Sequence, residues 1–338
     1  MKAIQVSEPG KIEIIERNLP QIENTDEVLV KVKYAGICGS DMHIYHGTSP
    51  VATYPRVIGH EFVGEVVKTG ENVKKLKTGD RVVIEPIYYC GKCYSCRTGR
   101  PNVCEKLEVL GVHRDGGFQE IVTVKEANAH KFGEHLSWDE AVLIEPFTIA
   151  CQVTWRGDVR KNDFVFIQGA GPIGLAILQY TKYKGGICIV SDIVELKLTE
   201  AKNLGADFII NAVKQDVASE IKSITEGMGA NVTIDTACTP KTFETAVKVT
   251  SSAGRVVVMG FDDTPSRIPQ LTITKGELTI CGSRLQTYKF PEVIELFNER
   301  KLNPTALVSH KMHFTQIKEA IRIIEDNNQQ VSKIILEF

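Results

Sequence analysis

At 338 residues, 43% apolar and 24% charged, the chain exceeds the size at which a single core keeps growing, so two domains are expected. Forty basic side chains stand against 42 acidic ones, a net charge of −2 with no charge run, so neither nucleic acid nor an anionic membrane is expected as a partner. No stretch approaches the roughly 18 apolar residues of a membrane span, and residues 1–15 alternate charge with apolar side chains, unlike a signal peptide, so the chain reads as cytoplasmic.

The first half reads as short strands among glycines and prolines. Residues 28–34, 62–68 and 80–84 alternate apolar and polar side chains at the strand period. Around residues 137–150 (SWDEAVLIEPFTIA) the texture becomes helical. From residue 163 strands alternate with helices. Strands are expected at 163–168, 187–192, 208–211, 232–236, 255–260 and 278–282, with helices at 173–183, 194–204, 217–225 and 242–249. That is the rhythm of a doubly wound parallel sheet. It stops after Gly282, leaving helices near 292–300 and 316–326 and a last strand at 333–338.

Within that rhythm the strand DFVFIQ runs into Gly169-Ala170-Gly171-Pro172-Ile173-Gly174 and then into a helical pattern. This is GxGxxG in the strand–turn–helix setting where the glycines make the turn, admit a pyrophosphate and let helix and strand pack. The next strand ends on Asp192, where an acid can take the ribose hydroxyls and repel a 2′-phosphate. NAD is therefore expected rather than NADP, although Lys197 could soften the preference.

Nine cysteines are present, four of them in Cys90-x2-Cys93-x2-Cys96-x7-Cys104 and the rest scattered at Cys38, Cys151, Cys188, Cys238 and Cys281. The odd total argues against a disulfide framework. Four thiolates within fifteen residues satisfy tetrahedral zinc completely, which makes a structural site; a redox CxxC needs neither the third nor the fourth. A second set is dispersed: Cys38 in GICGSDMH, His60 and Glu61 in GHE, and Glu145 in IEPF. A thiolate, an imidazole and a carboxylate with an open fourth position make a catalytic zinc site.

These segments together, with YPRVIGHEFVGEV and the terminal strand, resemble the zinc-dependent medium-chain dehydrogenase/reductase family over essentially the whole chain. The resemblance implies a Rossmann doubly wound sheet, residues 151–284, inserted into a GroES-like β-barrel catalytic domain of residues 1–150 and 285–338, with the structural zinc lobe at 88–106. It implies Cys38 and His60 as ligands of the catalytic zinc. Glu145 or Glu61 would supply the third ligand; Glu145 is favoured, with Glu61 as its partner or in a buried ion pair. Such a zinc acidifies the substrate hydroxyl, as it lowers the pKa of bound water from about 16 to about 7, and hydride passes to the nicotinamide. Ser40 and His43 match the family's proton relay, and homodimers or homotetramers are implied.

For the substrate, YPRVIGHEF, VLGVHRDGGF, IEPFTIA and SRL…KFPEVIE are similar to the starvation-sensing and hexonate 5-dehydrogenase subgroup, which implies a polyhydroxy carboxylate such as L-gulonate, L-galactonate or L-idonate. A bidentate arginine is the natural receptor for its carboxylate. Arg284, which matches a polyol-contacting arginine of the sorbitol branch, is one candidate; Arg56 and His113 are others. Leu285 stands where that branch carries Tyr. Threonine, sorbitol and butanediol remain alternative substrates, and a non-catalytic NAD sensor remains an alternative of another class, though it would need neither an open metal nor a relay.

Overall fold

The computed structural model describes residues 1–261, 263–326 and 330–338. Two compact units emerge. One comprises residues 1–145, 290–300 and 308–338, the other residues 146–289 and 301–307.

The first unit is built on a seven-stranded sheet. Its main path runs Ala129–Lys131, Arg81–Ile84, Glu61–Thr69, Glu27–Gly36, Lys333–Glu337, Val308–His313, and Ile121–Lys125 also pairs with Glu27–Gly36. The sequence KIILE explains why the chain end sits inside this sheet. Lys333, Ile334, Ile335 and Leu336 are all buried, so the strand needs cover on both faces and a neighbour on both edges. The C-terminal residues thereby share one sheet with strands of the N-terminal half. Ile4, Val30, Phe62, Phe118, Phe314 and Leu336 join one core beneath this sheet. Each such side chain contributes about 1.5–3 kcal/mol by leaving water. A three-stranded sheet of Lys2–Glu8, Lys11–Glu16 and Arg56–Val57 completes the unit's framework. Its first hairpin runs from Lys2 to Glu16, and the alternation of residues 1–15 is the strand period itself.

The second unit is a six-stranded sheet, parallel throughout, in the order Phe208–Asn211, Ile187–Asp192, Phe164–Gln168, Ala230–Asp235, Thr250–Val258, Thr279–Gly282. Numbered along the chain this is 3-2-1-4-5-6, the doubly wound dinucleotide-binding order, with its switch point between Phe164–Gln168 and Ala230–Asp235. Among the elements the sequence does not signal are the helix Gln270–Gly276 and, in the first unit, the strands Ile121–Lys125, Ala129–Lys131 and Val308–His313. QLTITKG is rich in β-branched residues, which disfavour helix, and VSHKMH carries little apolar signal. No helix among the described residues is long and apolar enough to cross a membrane.

Candidate active site and metal centres

Strand Glu27–Gly36 delivers Cys38 to the extended N-cap position of the helix Gly39–Tyr45. The antiparallel register sets Gly36 opposite Glu61, so the GHE segment arrives beside the same turn. A side chain at position 36 would collide with the Glu61 carboxylate, which is why glycine precedes Ile37-Cys38. Cys38, His60 and Glu61 each offer a donor atom within 4.8 Å of the others, a cluster compatible with zinc bonds of about 2.0–2.3 Å.

Buried Asp41 ties the two loops together. Its Oδ2 accepts the Cys38 N–H at 2.9 Å and its Oδ1 accepts the Gly59 N–H at 3.2 Å. Oδ1 also faces His60 Nδ1 at 3.7 Å, a ring nitrogen without a hydrogen-bond partner, while His60 Nε2 lies 3.5 Å from Ser40 Oγ. A carboxylate behind the imidazole orients the ring and leaves Nε2 for a metal. Sequence reading missed Asp41 because it stands among the relay residues; the signal was its place as third residue of a helix, where an acid closes a capping box.

Lys333 was also missed. Its buried ammonium donates to both Glu61 carboxylate oxygens at 2.8 Å and to the Ile37 carbonyl at 3.2 Å. The partners are 272 residues apart in the chain, and no local pattern marks them. Glu145, in the first turn of the helix Ile144–Arg156, is buried too. Burial pushes its carboxyl up to about 8, against the pull of His60 and Lys333 and with added repulsion from Glu61. Burial likewise raises Asp41. Three buried carboxyls and the Cys38 thiol thus crowd against one ammonium and one imidazole. That donor set fits a divalent cation: the charge it concentrates is what such an ion would neutralise.

The four-cysteine lobe is closed. Cys93 Sγ lies 3.5 Å from Cys96 Sγ and 3.7 Å from Cys104 Sγ, and Cys104 Sγ lies 3.5 Å from Cys90 Sγ. Sulfurs 2.3 Å from one zinc at tetrahedral angles would stand ~3.8 Å apart. Amides of Cys90 and Lys106 donate to Cys104 Sγ, and the Ser95 hydroxyl with the Cys96 amide pushes the Cys93 thiol down to about 5. All nine cysteines are free of disulfides.

In the second unit Gly169 turns at φ +103°, and a side chain at Gly174 would collide with the Gly169 carbonyl. At Gly171 a Cβ would meet nothing within 4 Å, so space is held open in front of the helix Pro172–Tyr183. That helix has no side-chain cap and begins on Pro172, so Ile173 and Gly174 present first-turn amides suited to a pyrophosphate. Asp192 ends the neighbouring strand; its Oδ2 accepts the Ala170 N–H at 2.8 Å and its Oδ1 the Val194 N–H at 2.9 Å. Lys197 follows on the helix Glu195–Asn203, half-buried.

Of the three residues read as substrate contacts, Arg56 and His113 lie in the first unit and each has a partner there. Arg56 donates to Asp115 at 3.2 Å and to Thr53 at 2.6 Å, and Asp115 also pairs with Arg17. His113 Nδ1 accepts the Val109 N–H within a turn. Both hold loops of the first unit. Arg284, in the second unit, follows the edge strand Thr279–Gly282 and lies over the Phe261 ring at 4.9 Å.

Residues 24–134 match the alcohol dehydrogenase GroES-like domain and residues 172–299 the zinc-binding dehydrogenase domain. The chain belongs to the zinc-binding alcohol dehydrogenase family. The dehydrogenase is 44% identical to the starvation-sensing protein RspB of Escherichia coli K12 over 100% of this chain and 99% of that one. It is 31% identical to the L-galactonate-5-dehydrogenase of the same organism, over 100% and 99% of the two chains. Its fold superposes on RspB from E. coli CFT073, crystallised with NADH, at a TM-score of 0.95 with 43% identity, covering 100% of this chain and 99% of that one.

Proposed function

We propose that this dehydrogenase oxidises a secondary hydroxyl of a polyhydroxy carboxylate, a hexonate of the gulonate, galactonate or idonate type, with NAD as hydride acceptor. The reaction class is supported by the open donor set of Cys38 and His60 with a buried acid, beside a hydroxyl. Zinc bound there supplies a Lewis acid that lowers the pKa of the reacting hydroxyl. Cys38, His60 and Glu61, whose donor atoms cluster within 4.8 Å, would hold it, with Glu145 as a second buried acid.

Ser40 is the residue that takes the proton away. Its Oγ borders the donor set at 3.5 Å from His60 Nε2, in a region where Asp41, Glu61 and Glu145 are buried. His43 lies three residues on, on the same side of the helix Gly39–Tyr45, and is exposed. Its Nδ1 shares a hydrogen bond with Thr48 Oγ1 at 2.9 Å, which fixes the ring. An exposed imidazole can take a proton at one ring nitrogen and pass it to water. Gly169, Gly171, Pro172, Ile173 and Gly174 would seat the pyrophosphate of NAD, with Asp192 on the ribose and Lys197 nearby.

The single observation carrying the substrate class is Arg284. It lies just beyond the carboxyl end of a parallel strand, the end at which doubly wound sheets bind ligands. It is partly buried over Phe261, and burial pulls its pKa below the usual arginine value. A partly desolvated guanidinium stacked on a ring favours a carboxylate. The test is NADH formation with a panel of hexonates and uncharged polyols, for the parent and Arg284→Leu. Hexonates should turn over best, and the substitution should raise their KM by a larger factor than that of sorbitol. Sorbitol outperforming every hexonate would overturn the reading.

A further inference from the structure

The segment 283–289, which carries Arg284, has a backbone that its own residues do not favour. Leu285 stands at φ +49° and Tyr288 at φ +53°, in the left-handed region that suits glycine or asparagine rather than leucine or tyrosine. Between them lie Gln286 and Thr287, both buried. Residues held in this way persist only where surrounding contacts over-determine them, and they gather at ligand clamps.

Those contacts come from one face of the helix Ile144–Arg156, where Gln152, Trp155 and Arg156 stand at i, i+3 and i+4. Arg156 Nε donates to the Gly282 carbonyl at 2.9 Å, and the Cys281 thiol donates to the Arg156 carbonyl at 3.3 Å. Lys289 Nζ lies 4.7 Å from the centre of the Trp155 ring. Both ends of the segment are thereby fixed. Its middle is held by buried Gln152, whose Oε1 accepts the Thr287 N–H at 3.2 Å. Gln286 Oε1 accepts the Lys289 N–H at 2.9 Å and closes the second reversal. The Gln152 bond falls between the two left-handed residues. Without it, relaxation of Leu285 and Tyr288 to ordinary φ would displace the backbone that carries Arg284.

We propose that Gln152 is a positioning residue for substrate selection: it holds the 283–289 segment in the form that sets the place of the Arg284 guanidinium. Arg284 then stays on the Phe261 ring, just beyond the strand Thr279–Gly282. A glutamine suits this task because its oxygen accepts an amide without bringing a charge into a buried helix face. The role rests on the reading of Arg284 as receptor for the substrate carboxylate.

The test measures NADH formation by the full-length enzyme with L-gulonate, L-galactonate, L-idonate and sorbitol, beside tryptic cleavage after Arg284 read by mass spectrometry. Gln152→Met keeps the volume and removes the acceptor, whereas Gln152→Glu keeps an acceptor oxygen. Gln152→Met should raise the hexonate KM about tenfold more than that of sorbitol, the effect of one misplaced charge-assisted hydrogen bond. NADH affinity should hold, and cleavage after Arg284 should quicken several-fold. Gln152→Glu should return both readouts toward the parent. In an Arg284→Leu background, Gln152→Met should add nothing to the hexonate-to-sorbitol KM ratio, because both changes remove the same contact. A parent-like ratio in Gln152→Met, or an equal further rise in the Arg284→Leu background, would overturn the proposal. So would an equal loss of turnover with every substrate, which is what a merely structural role predicts. Should Gln152→Met fail to fold, Gln152→Asn, whose acceptor is withdrawn by one methylene, decides by the same readouts. If sorbitol turns over and no hexonate does, the substrate reading falls, and cleavage after Arg284 then decides the hold of Gln152 by itself: quickened it stands, unchanged it falls.

Discussion

Asp41 shows how one buried side chain can hold two distant segments in register. It accepts from the amide of one proposed ligand, Cys38, and from the residue before the other, His60, and it backs the imidazole. Asp41→Ala should therefore lower metal retention about 10–100-fold, read as zinc content after dialysis against a chelator, while the four-cysteine zinc remains. Retention equal to the parent would mean that the loops are held by other contacts. Ser40 touches the site through a hydroxyl alone. Ser40→Ala should reduce turnover about 10²–10⁴-fold, the range of general acid–base assistance, with zinc and NAD binding preserved. Undiminished turnover would remove Ser40 from the proton path.

Elements are positioned in this molecule by backbone contacts too close for side chains. The turn at 111–117 packs on the residues before His60. Gly116 and Gly117 N–H groups donate to the Val57 and Gly59 carbonyls, and a Cβ at Gly116 would collide with the Gly59 oxygen. Gly59 itself sits at φ +92° with the Phe118 ring against it. In the second unit the glycines of one motif divide by task. Gly174→Ala forces a methyl into the Gly169 carbonyl and should cost roughly 1–3 kcal/mol of stability, measured by denaturant unfolding. Gly171→Ala meets no protein atom within 4 Å and has an ordinary φ of −71°, so Tm should hold while NADH affinity falls. If both variants bind NADH equally well, the space before Pro172 is not where the pyrophosphate lies.

At the scale of the whole molecule, the last residues belong to the centre of the first unit's sheet. Lys333–Glu337 lies between Glu27–Gly36 and Val308–His313, and Phe338 stacks on Phe314 at 4.8 Å. A chain ending at Val331 would lose a buried strand and the Lys333 contacts to Glu61 and Ile37 together, and would expose two strand edges. It should aggregate and fail to take up metal at the Cys38–His60 site, as checked by size-exclusion chromatography and metal analysis. A soluble truncated chain with full metal content would show that the terminal strand is dispensable.

Signals that depend on near neighbours in the chain were legible without a structure. The four cysteines spaced within fifteen residues, the glycine turn after an apolar strand and the βα alternation each act over one or two turns of backbone, so spacing alone carries them. The dispersed donor set was read from Cys38, His60, Glu61 and Glu145 as residue types and from family likeness, without geometry. Its supports were not legible. Asp41 looks like one more polar residue until Gly59 is brought beside it, and Lys333 looks like a surface lysine until strand pairing buries it against Glu61. Arg56 and His113 likewise have partners that only the fold shows, Asp115 for the one and a turn amide for the other. What local sequence determined is which atoms can bind metal, phosphate or hydride acceptor. Which of them meet, which are neutralised and which face one another was decided by long-range strand register, because burial and charge pairing exist only after distant segments have packed.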